Sequence, residues 1–273
     1  MRIAFQGEPG TDAEAAALRF KPSADLLPRA TVEAVFEAVE QGSATHGILP
    51  IENSIDGTMH RSYDRLMQHE LPIVGEVELP IDHNLLAFEG TTREMLRRVY
   101  SHQLGLAQCE GFLRTLDVEI VASFDTAGSA KMIRDGQLRD TGAIASARVA
   151  EAYGLSILEG GVKNVAGNTT RFLLIGRDTT VSGANKTTVV FTVPNDAGAL
   201  FKALSVFALR DIDLTKLESR PIPERPFEYL FYADLSGTRE DLSCTRALMH
   251  LAEFAPLLRT LGSYPRWQEP DGV

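Results

Sequence analysis

The chain has 273 residues, of which 44% are hydrophobic and 23% charged, with a formal net charge of −10 and a pI of about 5.1. This length favours two domains over one small core, and the composition is that of an ordinary globular protein. The acidic balance argues against nucleic acid as a partner, because such a protein would carry a basic patch. No apolar run approaches the length of a membrane span, so no membrane partner is expected.

The cysteines and histidines give no sign of a metal or redox site. Cys109 and Cys244 lie far apart without a CxxC motif, and the six histidines are scattered without an HExxH motif. We therefore expect no disulfide framework and no metal site. Residue 1 leads directly into a strand pattern without a signal peptide, which predicts a cytoplasmic protein, or a plastid stromal one if a transit peptide has been removed.

The first predicted elements are a buried strand at Ile3–Phe5, a glycine-containing loop at 7–10 and a helix over 13–20 capped by Thr11 or Asp12. A strand, a loop and a helix N-terminus bind anions in many α/β folds. The loop lacks both GxGxxG and a P-loop lysine motif, so we do not predict a dinucleotide site.

Residues 32–39 repeat apolar side chains at helical spacing, and a buried strand follows at 47–51. That strand ends in Glu52, Asn53 and Ser54, which place a carboxylate, an amide and a hydroxyl at its exit. From about residue 83 the α/β pattern repeats. Its strands are predicted at 85–87, 99–100, 118–122 and 142–145, and its helices at 103–116, 126–133 and 147–153, the last of them capped by Ser146.

Ser101 and His102 follow one of these strands. We reject a catalytic triad, because adjacent side chains rarely face each other and the chain has no GxSxG motif.

The segment Gly167–Phe172 precedes the apolar run 173–175. Arg171 has the geometry to hold a carboxylate through two hydrogen bonds, while Asn168, Thr169 and Thr170 offer donors to an oxygen. The alternative is a polar turn that satisfies its own backbone. Strand ends elsewhere present Glu52, Asn53, Ser101 and Ser146, so the simplest architecture is two α/β lobes that meet at a cleft suited to a small polar anion.

After a polar linker at 176–186, the C-terminal part reads as strand, helix, two strands, helix and strand. Asp196 is predicted to cap the first of these helices. The order βαββαβ is the ferredoxin-like plan.

Eight different short motifs follow one another along the chain in a characteristic order. They are Gln6-Gly7-x-x-Gly10, Pro50-Ile51-Glu52-Asn53-Ser54-x-x-Gly57, Ser101-His102 with Gln108-Cys109, Asp125-Thr126-Ala127-Gly128, Asn168-x-Thr170-Arg171-Phe172, Gly198-Ala199-Leu200, Glu218-Ser219-Arg220-Pro221 and Leu261-Gly262-Ser263-Tyr264-Pro265. Together they resemble the prephenate dehydratase family, including its arogenate dehydratase branch, over nearly the whole chain. The last three resemble the regulatory ACT domain of these enzymes.

The chain departs from the family pattern at two places. An aspartate that often precedes the Asn-x-Thr-Arg-Phe segment is replaced by Asn164, and a Tyr-Ser pair common after the first glycine turn is replaced by Thr11-Asp12. Whether these positions touch the substrate is therefore open.

The resemblance implies an α/β fold with a two-lobed, periplasmic-binding-protein-like catalytic domain at 1–178, whose second lobe spans approximately 83–160, and a ferredoxin-like ACT domain at 186–265. It implies the decarboxylating dehydration of prephenate to phenylpyruvate, without cofactor or metal, in a homodimer or homotetramer regulated by L-phenylalanine. One alternative is an arogenate dehydratase that forms L-phenylalanine directly or accepts both substrates. Another is a non-catalytic two-lobed binding protein with an ACT sensor.

The resemblance also implies residue roles. Thr170 would act on the leaving hydroxyl, with Glu52, Asn53 and Gln108 as further catalytic residues. The residues implied for substrate binding are Ser101, Ser146, Asn168, Thr169 and Arg171. Those implied for binding of phenylalanine are Asp196, Ala197, Gly198, Ala199, Leu200, Glu218, Ser219, Arg220 and Pro221.

Overall fold

The structure is a computed structural model that describes residues 1–123, 125–179, 181–222 and 225–269. The chain divides into two compact units, each built from two separate stretches. The N-terminal unit comprises Met1–Ser62 and Val77–Phe172, and the C-terminal unit comprises Tyr63–Glu76 and Leu173–Val273. The predicted boundaries at 1–178 and 186–265 stay a prediction. They did not anticipate that residues 63–76 join the C-terminal unit.

The secondary structure alternates strands and helices through most of the chain. The first elements are β1 (Arg2–Gln6), α1 (Asp12–Phe20), β2 (Asp25–Arg29), α2 (Val32–Glu40), β3 (His46–Asn53), β4 (Gly57–Thr58), α3 (His60–Gln68), β5 (Ile73–Pro80) and β6 (Asn84–Ala87). A 3-10 helix (Arg93–Met95) precedes β7 (Arg98–His102), α4 (Gln103–Gln108), α5 (Glu110–Leu113), β8 (Glu119–Ser123), α6 (Thr126–Gly136), β9 (Thr141–Ala145), α7 (Ala147–Tyr153) and β10 (Ser156–Glu159). The last are β11 (Thr169–Gly176), β12 (Lys186–Thr192), α8 (Ala199–Ala208), β13 (Leu214–Ile222), β14 (Arg225–Ser236), α9 (Leu242–Ala252) and β15 (Leu258–Tyr264).

The first sheet has the order β2-β1-β3-β11-β5, with β4 paired to β3. Strand β1 is parallel to both of its neighbours, and its residues Ile3, Ala4 and Phe5 are almost completely buried. A continuous apolar run is what a parallel strand covered on both faces requires. Strand β2 was not predicted from the sequence. It lies at the edge of the sheet and contains Pro28, a residue that weakens the strand signal and is tolerated at edges.

The second sheet has the order β10-β6-β9-β7-β8, and it confirms the strands predicted for the second lobe. Helices α6 and α7 bury Ala127, Ala130, Ile133 and Val149 in its core. The two sheets are the two α/β lobes expected from the sequence. Among the described residues no helix is long and apolar enough to cross a membrane.

The single helix predicted over 103–116 is wrong, because the structure has two short helices that are separated at Cys109. The side chain of Asn164 occupies this break. Its Oδ1 accepts from the Gly111 N–H at 2.9 Å, and its Nδ2 donates to the Ala107 carbonyl at 2.9 Å. Backbone groups that a continuous helix would pair with each other are satisfied here by a side chain.

The sheet of the C-terminal unit has the antiparallel order β13-β14-β12-β15, which confirms the ferredoxin-like βαββαβ plan. Helices α8 and α9 pack Ala203, Phe207 and Leu251 into its core. The capping residue of α8 is Gly198 in a left-handed conformation (φ 81°), without a side-chain cap. The prediction that Asp196 caps this helix is therefore wrong, because its side chain makes no such bond.

Candidate active site

A cavity of about 230 Å³ in the N-terminal unit collects the polar side chains that the sequence places at strand and helix ends. It is lined by Asp12, Asn53, Asp56, Met59, Ile81, His83, His102, Leu104, Gly105, Gln108, Asp125, Thr126 and Thr170. A larger and more open groove of about 610 Å³ lies against Glu110, Arg114, Glu159 and Lys163, but none of the predicted site residues lines it. We therefore take the smaller cavity as the candidate active site.

Asn53 and Thr170 form the centre of the site. Asn53 is the last residue of β3 and Thr170 the second of β11, and each is about 5% exposed. The Asn53 Nδ2 donates to Thr170 Oγ1 at 2.9 Å and to Asn168 Oδ1 at 2.7 Å. Its Oδ1 accepts from the backbone N–H groups of Ile55 and Asp56, at 2.9 and 3.0 Å, which fixes the amide orientation. Thr170 is thus an acceptor towards Asn53, and its own hydroxyl proton stays available for a ligand.

Gln108, in the last turn of α4, is the hub of this network. Its Oε1 accepts from Asn168 Nδ2 at 2.7 Å and lies 2.7 Å from His83 Nε2. Its Nε2 donates to a carboxylate oxygen of Asp56. Since Oε1 can only accept, His83 carries a proton on Nε2. A series of hydrogen bonds from Asp56 through Gln108 and Asn168 to Asn53 therefore sets the position of the Thr170 hydroxyl.

Glu52 and Arg171 lie on the other face of the same strands. Side chains alternate along a strand, and Asn53 and Thr170 occupy the cavity face. Arg171 Nη2 contacts Glu52 Oε2 at 3.1 Å, and the two side chains are 11% and 34% exposed. Neither residue lines the cavity. The placement does not favour the predicted carboxylate clamp at Arg171 or the predicted catalytic role of Glu52.

Three further predicted substrate-binding residues also lie off the cavity wall. Ser101 is fully buried, and its hydroxyl donates to the Ile144 carbonyl at 2.7 Å. Ser146 accepts from the Val149 N–H at 3.4 Å and caps α7, as predicted. Thr169 accompanies Arg171 on the opposite face of β11, and its backbone N–H donates to Ser54 Oγ at 3.0 Å. Ser101 and Ser146 therefore stabilise the fold through these hydrogen bonds, and contact with substrate stays a prediction for all three.

The structure adds cavity residues that the sequence reasoning did not select as site residues, namely Asp12, Asp56, His83, His102, Asp125 and Thr126. Desolvation raises the pKa of the Asp12 carboxyl above its usual value, opposed in part by the nearby His83. Asp125 is also the cap of α6, because its Oδ1 accepts from the Gly128 N–H. Asp56 was detectable from its place within the Glu52–Gly57 motif. His83 carried no local signal, since only the fold brings it to Gln108.

Cations are scarce at this site. The lining residues that carry a titratable group are three aspartates and two histidines, and the described part of the wall includes no lysine or arginine. Within the described residues no group of three histidine, cysteine or acidic side chains is placed to hold a metal ion. Oriented donors, namely the Thr170 and Thr126 hydroxyls and the His102 imidazole, are what the wall offers to an anion.

The residues implied for phenylalanine binding separate into two places in the C-terminal unit. Asp196, Ala199 and Leu200 line a cavity of about 150 Å³ together with Phe227 and Tyr229. Arg220 instead pairs with Asp64, to which its Nε donates at 3.0 Å and its Nη2 at 2.6 Å. This hydrogen bonding raises the pKa of Arg220. Ala197, Gly198, Glu218, Ser219 and Pro221 are not among the residues of that cavity wall.

The comparisons with known proteins agree with the motifs. The family model for prephenate dehydratase matches residues 3–180. Arogenate dehydratase/prephenate dehydratase 6 from Arabidopsis thaliana, a chloroplastic protein, is 45% identical over 99% of this chain and 70% of its own length.

Two solved structures are similar over almost the whole chain. A prephenate dehydratase in complex with L-Phe from Arthrobacter aurescens is 31% identical, with a TM-score of 0.89 over 97% of this chain and 90% of the other. GqqA, described as a novel type of quorum-quenching acylase, is 35% identical, with a TM-score of 0.88 over 98% of both chains.

Proposed function

The chain belongs to the prephenate dehydratase family, and we propose that it removes carbon dioxide and water from prephenate or arogenate at the cavity around Thr170. Prephenate would give phenylpyruvate, and arogenate would give L-phenylalanine. The observation that carries the proposal is the Asn53–Thr170 hydrogen bond, which leaves the Thr170 hydroxyl proton available to a ligand in the cavity.

The reaction needs little from the protein beyond orientation. The bond from the ring to its carboxylate breaks, and its electron pair forms a new ring double bond. The neighbouring ring double bond shifts towards the opposite carbon, and the hydroxyl there leaves with the electrons of its own bond. Because the ring becomes aromatic, the reaction is strongly downhill. The difficult part is stabilising the departing hydroxide, and a positioned hydrogen-bond donor does this without becoming a strong acid itself.

The site supplies this donor in a fixed place. Thr170 Oγ1 accepts from Asn53, so the one proton that it can donate points away from Asn53. Asn168 and Gln108 hold Asn53 and are positioning residues, since they act through it. The proton that converts hydroxide to water can come from a histidine of the cavity wall, His83 or His102.

The serine and the cysteine that adjoin the cavity residues His102 and Gln108 in the sequence, Ser101 and Cys109, are not available as nucleophiles for an acylase. Ser101 is fully buried with its hydroxyl bonded to a carbonyl. Cys109 is buried, and burial raises the pKa of its thiol to about 12. A thiolate nucleophile is therefore absent near neutral pH at this position.

The test is turnover of each substrate by the purified chain, with phenylpyruvate and L-phenylalanine measured separately. Thr170→Val, purified in the same way, is the control for contaminating host enzyme. We expect product from at least one substrate and a large loss in the variant. A wild-type chain that binds either compound without turnover would instead support the non-catalytic binding protein.

For the C-terminal unit we propose regulation by L-phenylalanine at the cavity formed by Asp196, Ala199, Leu200 and the 227–231 segment. The small residues 197–199 lie at the N-terminus of α8 and leave backbone N–H groups accessible to an amino acid carboxylate. The Arthrobacter aurescens relative was solved in complex with L-Phe. Regulation requires that the ligand bind two states unequally, so binding alone would not establish it.

The matched test uses two glycines with the same backbone constraint. Gly198 (φ 81°) is the capping residue before α8, whereas Gly183 (φ 74°) lies in the linker, and an added Cβ meets nothing within 4 Å at either. Valine at either position strains the backbone equally. We expect millimolar phenylalanine to inhibit wild type and Gly183→Val but not Gly198→Val. An intact enzyme that neither binds nor responds to phenylalanine would reduce this unit to an assembly module.

We also propose that the chain forms a homodimer or homotetramer. The C-terminal unit exposes Phe201, Leu209, Leu242 and Met249, each more than 60% exposed, which is unusual for large apolar side chains that stay in water. Light scattering during size-exclusion chromatography measures the mass directly. A cytoplasmic or plastid stromal location stays a prediction, although the relative named above is chloroplastic.

A further inference from the structure

The charge on the cavity wall fits one of the two proposed substrates better than the other. Prephenate carries two carboxylates and a ketone, so its net charge is about −2, whereas arogenate carries an ammonium in place of the ketone. The described wall contains Asp12, Asp56 and Asp125 but no lysine or arginine. A negative wall repels a dianion and favours a substrate that brings its own cation.

Among hydrogen bonds from described residues, none reaches the carboxylate of one of the three aspartates. Asp56 accepts from the Gln108 amide. Asp125 accepts from the Gly128 N–H at the start of α6. Asp12, at the start of α1, faces the cavity, and no described residue donates to its carboxylate. It is therefore the carboxylate that is open to a ligand.

We propose that Asp12 is a specificity-determining residue, whose carboxylate binds the ammonium group of arogenate and makes arogenate the preferred substrate. This inference rests on the proposed function of the same cavity. The ammonium and the ketone occupy the same position in the two molecules, so one residue near that position is enough to discriminate between them. The discrimination then depends on one charge pair in a partly desolvated site.

One further observation agrees with this assignment. Desolvation raises the pKa of the Asp12 carboxyl, so an ammonium bound beside it relieves an existing electrostatic cost.

The experiment measures kcat/KM for both substrates in wild type, Asp12→Asn, Asp12→Glu and Asp25→Asn. Asp25 is the control, because it is an exposed aspartate of the same unit that pairs with Arg2 at 3.1 Å and is not among the residues that line the cavity. We expect Asp12→Asn to lower kcat/KM for arogenate by about tenfold, as for loss of one partly buried charge contact. The value for prephenate should stay the same or rise. Asp12→Glu should keep part of the preference, and Asp25→Asn should keep all of it.

The outcomes separate this inference from the proposed function. If wild type turns over neither substrate, both fail together. If wild type prefers prephenate, or if Asp12→Asn lowers both kcat/KM values equally, the specificity role fails while the dehydratase function stands. A purely structural Asp12 at the first turn of α1 would lower the melting temperature without changing the ratio of the two kcat/KM values. Asp12→Ser replaces Asp12→Asn if the latter does not fold.

Discussion

The two faces of strands β3 and β11 carry neighbouring residues with different surroundings. On one face, Asn53 and Thr170 are neutral, almost fully buried and directed at the cavity. On the other, Glu52 and Arg171 are charged, partly exposed and paired with each other at 3.1 Å. In the sequence these four residues form two adjacent pairs, and they look like one polar cluster.

The contrast shows why the chemistry falls to the neutral pair. A charged pair on the partly exposed face is screened by solvent and mainly fixes the two strands to each other. A neutral hydroxyl on the buried face is held by three amides in turn, so its direction is set before any substrate arrives. Preorganised donors of this kind are the ones that stabilise developing charge.

The strongest test of the contrast is Thr170→Val against Thr169→Val. Both substitutions remove a hydroxyl with little change of volume, one on each face of β11. We expect Thr170→Val to lower kcat by about 10²-fold or more with little change in KM, because one transition-state donor is lost. Thr169→Val should stay near wild type. Steady-state kinetics on the preferred substrate measure both, and equal effects would show that the two faces do not differ in function.

A smaller effect is expected at Gln108→Leu, which roughly keeps the size of the side chain but removes the amide that hydrogen-bonds to three neighbours. Asn168, His83 and Asp56 each lose a partner. We expect a loss of about 1–3 kcal/mol in the free energy of unfolding, the usual cost of buried polar groups left unpaired. A fall in kcat of about tenfold should accompany it, because Asn53 is then less firmly held. Urea unfolding and kinetics on the same preparation separate the two effects, and unchanged kcat would remove Gln108 from the positioning chain.

On the other face, Arg171→Met keeps the length of the side chain and removes its charge. Glu52 then loses a charged partner while it stays about one third exposed, so we expect a loss of about 1–2 kcal/mol in the free energy of unfolding. The kinetic constants of the folded enzyme should change less than threefold, by the same reasoning. If kcat/KM instead falls strongly at normal stability, Arg171 binds the substrate carboxylate after all.

The smallest effect is expected at Cys109, the neighbour of Gln108. Gln108 faces the cavity, while Cys109 is fully buried in the core of the second sheet. Burial raises the pKa of its thiol to about 12, so the reactive thiolate is scarce at pH 8. We expect no modification of Cys109 by a thiol reagent in the native protein, and full modification in urea. Rapid native labelling with loss of activity would place the thiol within reach of the cavity.

The sequence predicts the fold better than the site. Strands such as β1, β3 and β11 are continuous apolar runs, and the capping residues Asp125 and Ser146 lie directly before their helices. These signals are local, so they survive without knowledge of the tertiary structure. The break between α4 and α5 was missed, because the residue that stabilises it, Asn164, lies more than fifty positions away.

The division of site residues between two faces could not be read from motifs alone. Predicting it requires the strand register, which decides that Thr170 and Asn53 share a face and that Arg171 does not. His83 and Asp12 come from the start of the second lobe and the start of α1, and only the folded chain brings both to the cavity wall. A residue that makes no local pattern and departs from the family motif is hard to select in advance.

The early segment Tyr63–Glu76, which belongs to the C-terminal unit, has a consequence for synthesis on the ribosome. Its partners, such as Arg220 for Asp64 and Lys186 for Glu76, are translated only after the whole of residues 77–172. At a translation rate of roughly 5–20 residues per second, synthesis of this intervening stretch takes several seconds, and the segment has no partners until it is complete. During that time its buried tyrosine and its charged side chains have no native surroundings. A chaperone that binds nascent chains would therefore find a target in the middle of the N-terminal half, before the protein's last strand exists.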